Sequence, residues 1–126
     1  MGDQNRAFPN DAGVDVFVRH AVSDLKAALV WYEQLLGCSP AFFPNDREAV
    51  WELAEHRYLY IELLPLEAGH ASSLCFVREL NAIVDAITRR GLQPSMRETL
   101  ENGVRKVTFS DPDGNQVNFG GPAGDA

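Results

Sequence analysis

Apolar and polar residues alternate with a period of two along several short segments of the chain, as in strands with one buried face. Between these segments, apolar residues recur at helical spacing in two places. The first such place follows Ser23, which can cap a helix, and stops at Gly37. The second has one apolar face, made of Leu80, Ile83, Val84 and Ile87. The pattern therefore predicts strands interrupted by two helices.

The predicted elements occur in the same order twice. Strands are predicted at residues 14–20, 41–43, 48–53, 57–64, 72–77, 96–100, 104–109 and 116–119. Each half then reads strand, helix and three strands, and each helix is followed by a G-x-x-P sequence. Two copies of a βαβββ unit are the economical interpretation. This order predicts an α+β protein whose mixed sheets carry helices on one face.

The length of 126 residues suits one domain. Residues 1–12 are polar and are predicted to form a flexible N-terminal arm. Residues 13–121 are predicted to form a single domain, with module 1 at about 14–65 and module 2 at about 70–120.

Composition narrows the classes of partner. The net charge of −7 argues against nucleic acid, whose binding depends on basic side chains. No apolar run approaches the length of a membrane span. No basic-then-apolar signal pattern opens the chain, so a cytoplasmic protein is expected.

Two segments carry a resemblance to a known family. The run from Asp24 to Gly37 resembles the first-helix signature D-L-x-x-A-x-x-x-Y-x-x-x-L-G of the vicinal oxygen chelate superfamily (glyoxalase I, ring-cleaving dioxygenases, bleomycin resistance proteins). The run from Asp111 to Asn118 resembles its closing pattern D-P-D-G-N-x-x-E. The resemblance implies two tandem βαβββ modules that form curved mixed sheets around a cavity, and a homodimer.

The resemblance also marks four places where metalloenzymes of the family hold a metal ion. Here these places carry Phe17, Glu62, Ser72 and Asn118. Only Glu62 keeps a carboxylate, while His70 lies two residues before Ser72. An amide supplies no anionic oxygen, and phenylalanine supplies no ligand. A protein without a cofactor is expected, and a divalent metal held by Glu62 and His70 is the alternative.

Strand alternation predicts which side chains point toward the cavity. The set comprises Phe17, Arg19, Ala21, Tyr58, Tyr60, Glu62, Ser72, Leu74, Phe76, Gln116, Asn118 and Gly120. Trp51, near a loop, is added as a residue that can stack on a ligand. Arg105 is added because Gly103-Val104-Arg105 is similar to a G-x-R sequence of bleomycin resistance proteins. Aromatic rings beside a few polar groups are typical of a small-molecule pocket, although the same residues could fill a core or a dimer interface.

Three functions remain open at this point. The first is a metal-free protein that binds and sequesters a small molecule, an antibiotic or a metabolite, and so resembles antibiotic resistance proteins. The second is a lyase, isomerase or dioxygenase-type enzyme with Glu62 as its base or as part of a non-standard metal site. The third is a scaffold with a vestigial cavity.

Overall fold

The structure, a computed structural model, describes residues 5–123, so part of the predicted arm (residues 1–4) lies outside the described residues. The strands and helices are β1 (Val16–Val22), α1 (Leu25–Leu36), β2 (Phe42–Asn45), β3 (Glu48–Ala54), β4 (Arg57–Leu63), β5 (Ser72–Phe76), α2 (Leu80–Arg89), β6 (Met96–Thr99), β7 (Arg105–Ser110) and β8 (Gln116–Gly121). A short 3₁₀ turn, Pro65–Glu67, follows β4. Each predicted element is present, with strand ends shifted by at most two residues.

The strands form two four-stranded sheets. Sheet 1 has the order β1-β4-β3-β2, and sheet 2 has the order β5-β8-β7-β6. In each sheet the first and last strands of the module pair in parallel, and the other pairs are antiparallel. The predicted α+β fold of two βαβββ modules with mixed sheets is therefore confirmed.

Helix α1 begins at a different capping residue from the one predicted. Asp24, not Ser23, is the N-cap, and its carboxylate accepts a hydrogen bond of 3.1 Å from the N–H of Ala27. The N–H and hydroxyl of Ser23 instead donate to the carboxylate of Asp113, 90 residues later, at 2.9 and 2.5 Å. The helix ends as predicted, because Gly37 has a left-handed conformation with φ of 76°.

One apolar core joins the two modules. It contains Tyr32 and Leu35 of α1, Leu59 of sheet 1, and Val84 and Phe109 of module 2. Each helix packs against its own sheet, α1 on β3 and β4 and α2 on β8. Among the described residues, no helix is long and apolar enough to cross a bilayer.

The turn between β7 and β8 (residues 111–115) also fastens module 2 to module 1. Inside the turn, Asp111 accepts hydrogen bonds from the N–H groups of Asp113 and Asn115, both at 2.9 Å. The buried amide of Asn115 donates to the carbonyl of Ala21 at the end of β1, at 2.7 Å. At Gly69 a Cβ would lie 2.2 Å from the carbonyl oxygen of Asp113, so glycine is required there. The D-P-D-G-N sequence thus shapes a turn and holds the modules together.

Candidate functional site

We call the side of each sheet that points away from its helix the outer face. On sheet 1, the register pairs Phe17 with Tyr58, Arg19 with Tyr60, and Ala21 with Glu62, so these side chains share the outer face. The rings of Phe17 and Tyr58 stack with centroids 4.4 Å apart and planes 9° apart. Tyr60 meets Phe17 edge-on at 6.5 Å. Because Phe17 remains 49% exposed, this aromatic cluster is open to a ligand.

Charged groups border the aromatic cluster. Arg19 donates to Glu62 at 3.5 Å and to Glu67 at 3.0 Å, and these side chains are partly exposed. Sequence reasoning missed Glu48 and Glu52, which the register places opposite Glu62 and Tyr58 on the same outer face. Three carboxylates on this face against one guanidinium favour a cationic ligand.

The outer face of sheet 2 carries a closed set of hydrogen bonds around Asn118. Its side-chain oxygen accepts from the hydroxyl of Thr108 at 2.5 Å. Its NH₂ group donates to the hydroxyl of Ser72 at 3.1 Å and to the carbonyl of Ser73 at 2.9 Å. Sequence reasoning brought Ser72 and Asn118 together correctly but missed Thr108. Both the oxygen and the NH₂ group of the Asn118 amide therefore form hydrogen bonds within sheet 2.

Apolar side chains cover the rest of this outer face. Leu74 and Phe76 are 61% and 60% exposed, and Gly120 lies beneath the ring of Phe76. Gln116 lies at the start of β8, on the same face as Asn118. A cleft of about 860 Å³ opens between the two modules and is lined by Tyr58, Leu74 and Phe76 among others.

The four metal-binding places of the family do not form a ligand set here. Phe17 is part of the aromatic cluster, and Glu62 pairs with Arg19. Ser72 and Asn118 bond to each other. His70 is exposed and lines a shallow hollow beside Arg19 and Glu67. Across residues 5–123, no group of three or more His, Cys, Asp or Glu side chains is placed to hold a metal ion.

Two predicted site residues lie away from both outer faces. Trp51 is buried on the helix side of sheet 1, where it packs against Tyr32 and its indole N–H donates to the carbonyl of Cys38 at 2.9 Å. Arg105 lies on the helix side of sheet 2 and donates to Asn81 of α2 at 2.8 Å. The alternation of strand residues could have predicted both positions. Glu52 and Thr108 point to the outer faces, so Trp51 and Arg105, an odd number of residues away from them, point to the helix sides.

A buried polar chain crosses between the modules. His20 lies on the strand face opposite Phe17 and is fully buried. Its Nδ1 lies 2.8 Å from the hydroxyl of Tyr32, and its Nε2 lies 2.5 Å from the hydroxyl of Ser73. Tyr32 in turn donates to Asp111 at 2.8 Å. Burial lowers the pKa of His20 below 6.5, against the opposing charge of Asp111.

Comparison with known proteins places this geometry in a family. No protein-family model matches the sequence, and no curated protein sequence matches it significantly. Among solved structures, a glyoxalase/bleomycin resistance protein from Catenulispora acidiphila DSM 44928 is 46% identical, with a TM-score of 0.83 over 86% of this chain and 98% of that one.

Two more distant structures share the fold. A lactoylglutathione lyase from Agrobacterium tumefaciens is 18% identical, with a TM-score of 0.66 over 90% of this chain and 95% of that one. A bleomycin-binding protein in complex with bleomycin is also 18% identical, with a TM-score of 0.69 over 86% of this chain and 98% of that one. From the 46% identity over nearly the whole of the Catenulispora protein, the chain belongs to the glyoxalase/bleomycin resistance protein family, within the vicinal oxygen chelate superfamily.

Proposed function

We propose that this protein binds and sequesters a small molecule, an antibiotic or a metabolite, without using a metal. The observation that carries the proposal is the aromatic cluster of Phe17, Tyr58 and Tyr60, in which Phe17 stands at one of the places where metalloenzymes of the family hold a metal ion. Stacked rings bordered by carboxylates suit a flat, positively charged organic molecule, because the ring faces and the carboxylates both attract cations. The bleomycin-binding neighbour is consistent with this ligand class.

The same proposal includes a homodimer in the cytoplasm. Leu74, Phe76 and Met96 are apolar and largely exposed on the outer face of sheet 2. A second copy that places its sheet 1 outer face over these side chains would cover them and enclose the aromatic cluster. Sedimentation analysis tests this: a dimer is expected, and Phe76→Glu should convert it to a monomer while leaving the circular dichroism spectrum unchanged.

Calorimetric titration with bleomycin, followed by other cationic aromatic drugs, tests the binding function. Tyr60→Ala is expected to weaken binding by about 1–3 kcal/mol, as for other stacked contacts. The matched control is Tyr60→Phe, which keeps the ring and should bind almost normally. Equal affinity in the wild type and in Tyr60→Ala would show that the ligand does not bind at the aromatic cluster of sheet 1.

Catalysis at Glu62 is the second candidate. The observation in its favour is a half-buried carboxylate beside the guanidinium of Arg19, a pairing that could move a proton and stabilise an oxyanion. The assay is turnover of the methylglyoxal–glutathione hemithioacetal, with Glu62→Gln as the test variant. Turnover that depends on Glu62 would favour the enzyme, whereas bleomycin binding without turnover favours sequestration.

A further inference from the structure

The polar chain between the modules has a defined direction of hydrogen bonding. The Tyr32 hydroxyl has one proton and donates it to the carboxylate of Asp111. Its oxygen therefore accepts a hydrogen bond from His20 Nδ1–H. The Nε2 atom of a neutral His20 is then a bare acceptor, and the Ser73 hydroxyl, 2.5 Å away, donates to it. Serine, an imidazole base and a group that orients the base are the components of an activated nucleophile.

Ser73 also borders open space. It lines the cleft of about 860 Å³, together with apolar side chains from both modules, Val16, Val18, Leu53, Leu59 and Leu74. Alternation places its side chain on the helix side of β5, opposite Ser72 and therefore away from the outer face. A small apolar molecule in the cleft would therefore meet Ser73 as well as Tyr58, one member of the aromatic cluster of sheet 1.

The backbone next to Ser73 adds a donor. At the two ends of β5, the carbonyl of Ala71 accepts a hydrogen bond from Gln116 of β8, and the N–H of Val77 donates to the carbonyl of Gly120 of β8. Backbone groups alternate along a strand, so the N–H of Leu74 points to the other edge of β5, which borders the cleft. The N–H of the residue after a serine nucleophile commonly stabilises the oxyanion in acyl transfer.

We propose that Ser73 is a nucleophile, with His20 as its general base, toward small activated esters that carry a short apolar acyl group. Ser73 Oγ attacks the carbonyl carbon while its proton passes to His20 Nε2. Collapse of the tetrahedral intermediate breaks the bond to the leaving alkoxide or phenoxide, which takes that proton. Water, deprotonated by His20, then releases the acid and restores Ser73. Tyr32 and Asp111 act as positioning residues, because they orient the imidazole.

A fluorophosphonate probe tests the nucleophile directly on the full-length protein. Mass spectrometry should find one covalent adduct, on the peptide that contains Ser73. The adduct should disappear in Ser73→Ala and persist in Ser72→Ala, its matched neighbour on the other face. Absence of labelling in wild type, or equal labelling in both variants, would overturn the proposal and leave the chain of hydrogen bonds as a structural link.

Hydrolysis of p-nitrophenyl butyrate tests turnover and the roles of the other groups. His20→Gln should lower the rate about 100-fold, within the range of general-base catalysis. If that variant fails to fold, the pH dependence of the rate decides. The wild-type rate should rise with pH as His20 loses its proton, with an apparent pKa below 6.5. Tyr32→Phe should shift that apparent pKa. Tyr32 and Asp111 are the titratable groups nearest to His20 along the chain of hydrogen bonds. A rate equal to that of Ser73→Ala at every pH would contradict the proposal, and neither result depends on bleomycin binding.

Discussion

Phe17 stacks face to face on Tyr58 across the parallel pair of β1 and β4, at the place where metalloenzymes of this superfamily carry a ligand. A ring in this position supplies contact area and a π face instead of a lone pair. Of the four corresponding places, only Glu62 offers an anionic oxygen, and its charge is already paired with Arg19.

Metal uptake should therefore be far below one equivalent. Untagged protein purified without chelator would be incubated with Ni, Co, Mn, Fe or Zn, desalted and measured by elemental analysis. Catalytic sites of this kind typically use three protein ligands, which these positions do not supply. Stoichiometric uptake that is lost in Glu62→Ala would show that the expectation is wrong and would favour the enzyme.

Asn118→Asp should lower the free energy of unfolding by about 1–3 kcal/mol. The new carboxylate cannot donate to the Ser72 hydroxyl or the Ser73 carbonyl, and it places a charge where the side chain is buried. Urea unfolding measures the change in the free energy of unfolding. Gln116→Glu is the matched control, because Gln116 lies exposed on the same strand and face. Equal stability in the two variants would argue against the hydrogen-bonded role of Asn118.

Tyr32→Phe should cost about 1–3 kcal/mol of unfolding free energy. The substitution removes the hydroxyl that joins His20 to Asp111 and leaves both buried without that partner. Tyr60→Phe serves as the comparison, since its ring lies on the outer face, and it should change stability by only a few tenths of a kcal/mol. A similar loss in both variants would contradict a particular role for the buried chain of hydrogen bonds at Tyr32.

Stability should fall as the pH is lowered through the ordinary histidine pKa of 6.5. Because the pKa of His20 is lowered by burial, the unfolded chain takes up a proton at a pH where the folded protein does not. Protonation therefore stabilises the unfolded state relative to the folded protein below pH 6.5, and the loss of stability levels off once the folded state is also protonated. Thermal melts from pH 5 to pH 8 in wild type and His20→Gln isolate this contribution. An unchanged pH dependence in the variant would contradict it.

Much of the site followed from the period of two in the strands. Alternation alone separates Phe17, Tyr58 and Tyr60 from His20, and the structure keeps them on opposite faces. Trp51 and Arg105 were misplaced because nearness to a loop and a three-residue motif were given more weight than alternation.

Other features depended on contacts that are distant in sequence. Ser23 and Asp24 are both good capping residues, and the choice between them rests on Asp113, which binds Ser23. The contact of His20 with Ser73 requires the two modules to be placed side by side. The periodicity of apolar residues predicts the strands and helices of each module, but it carries no information about how the two modules are placed relative to each other.

The two modules of this chain differ in the hairpin that precedes their last strand. The turn of module 2 (residues 111–115) binds Ala21 and Ser23 of module 1. The corresponding hairpin of module 1 turns at His56, with φ of 67°, and the His56 ring pairs with Asp15, directly before β1. A protein assembled from two copies of module 1 would keep the sheets and helices but would lack the fastening between them. One hairpin of the duplicated unit therefore connects the two modules, whereas the equivalent hairpin lies at the surface of module 1.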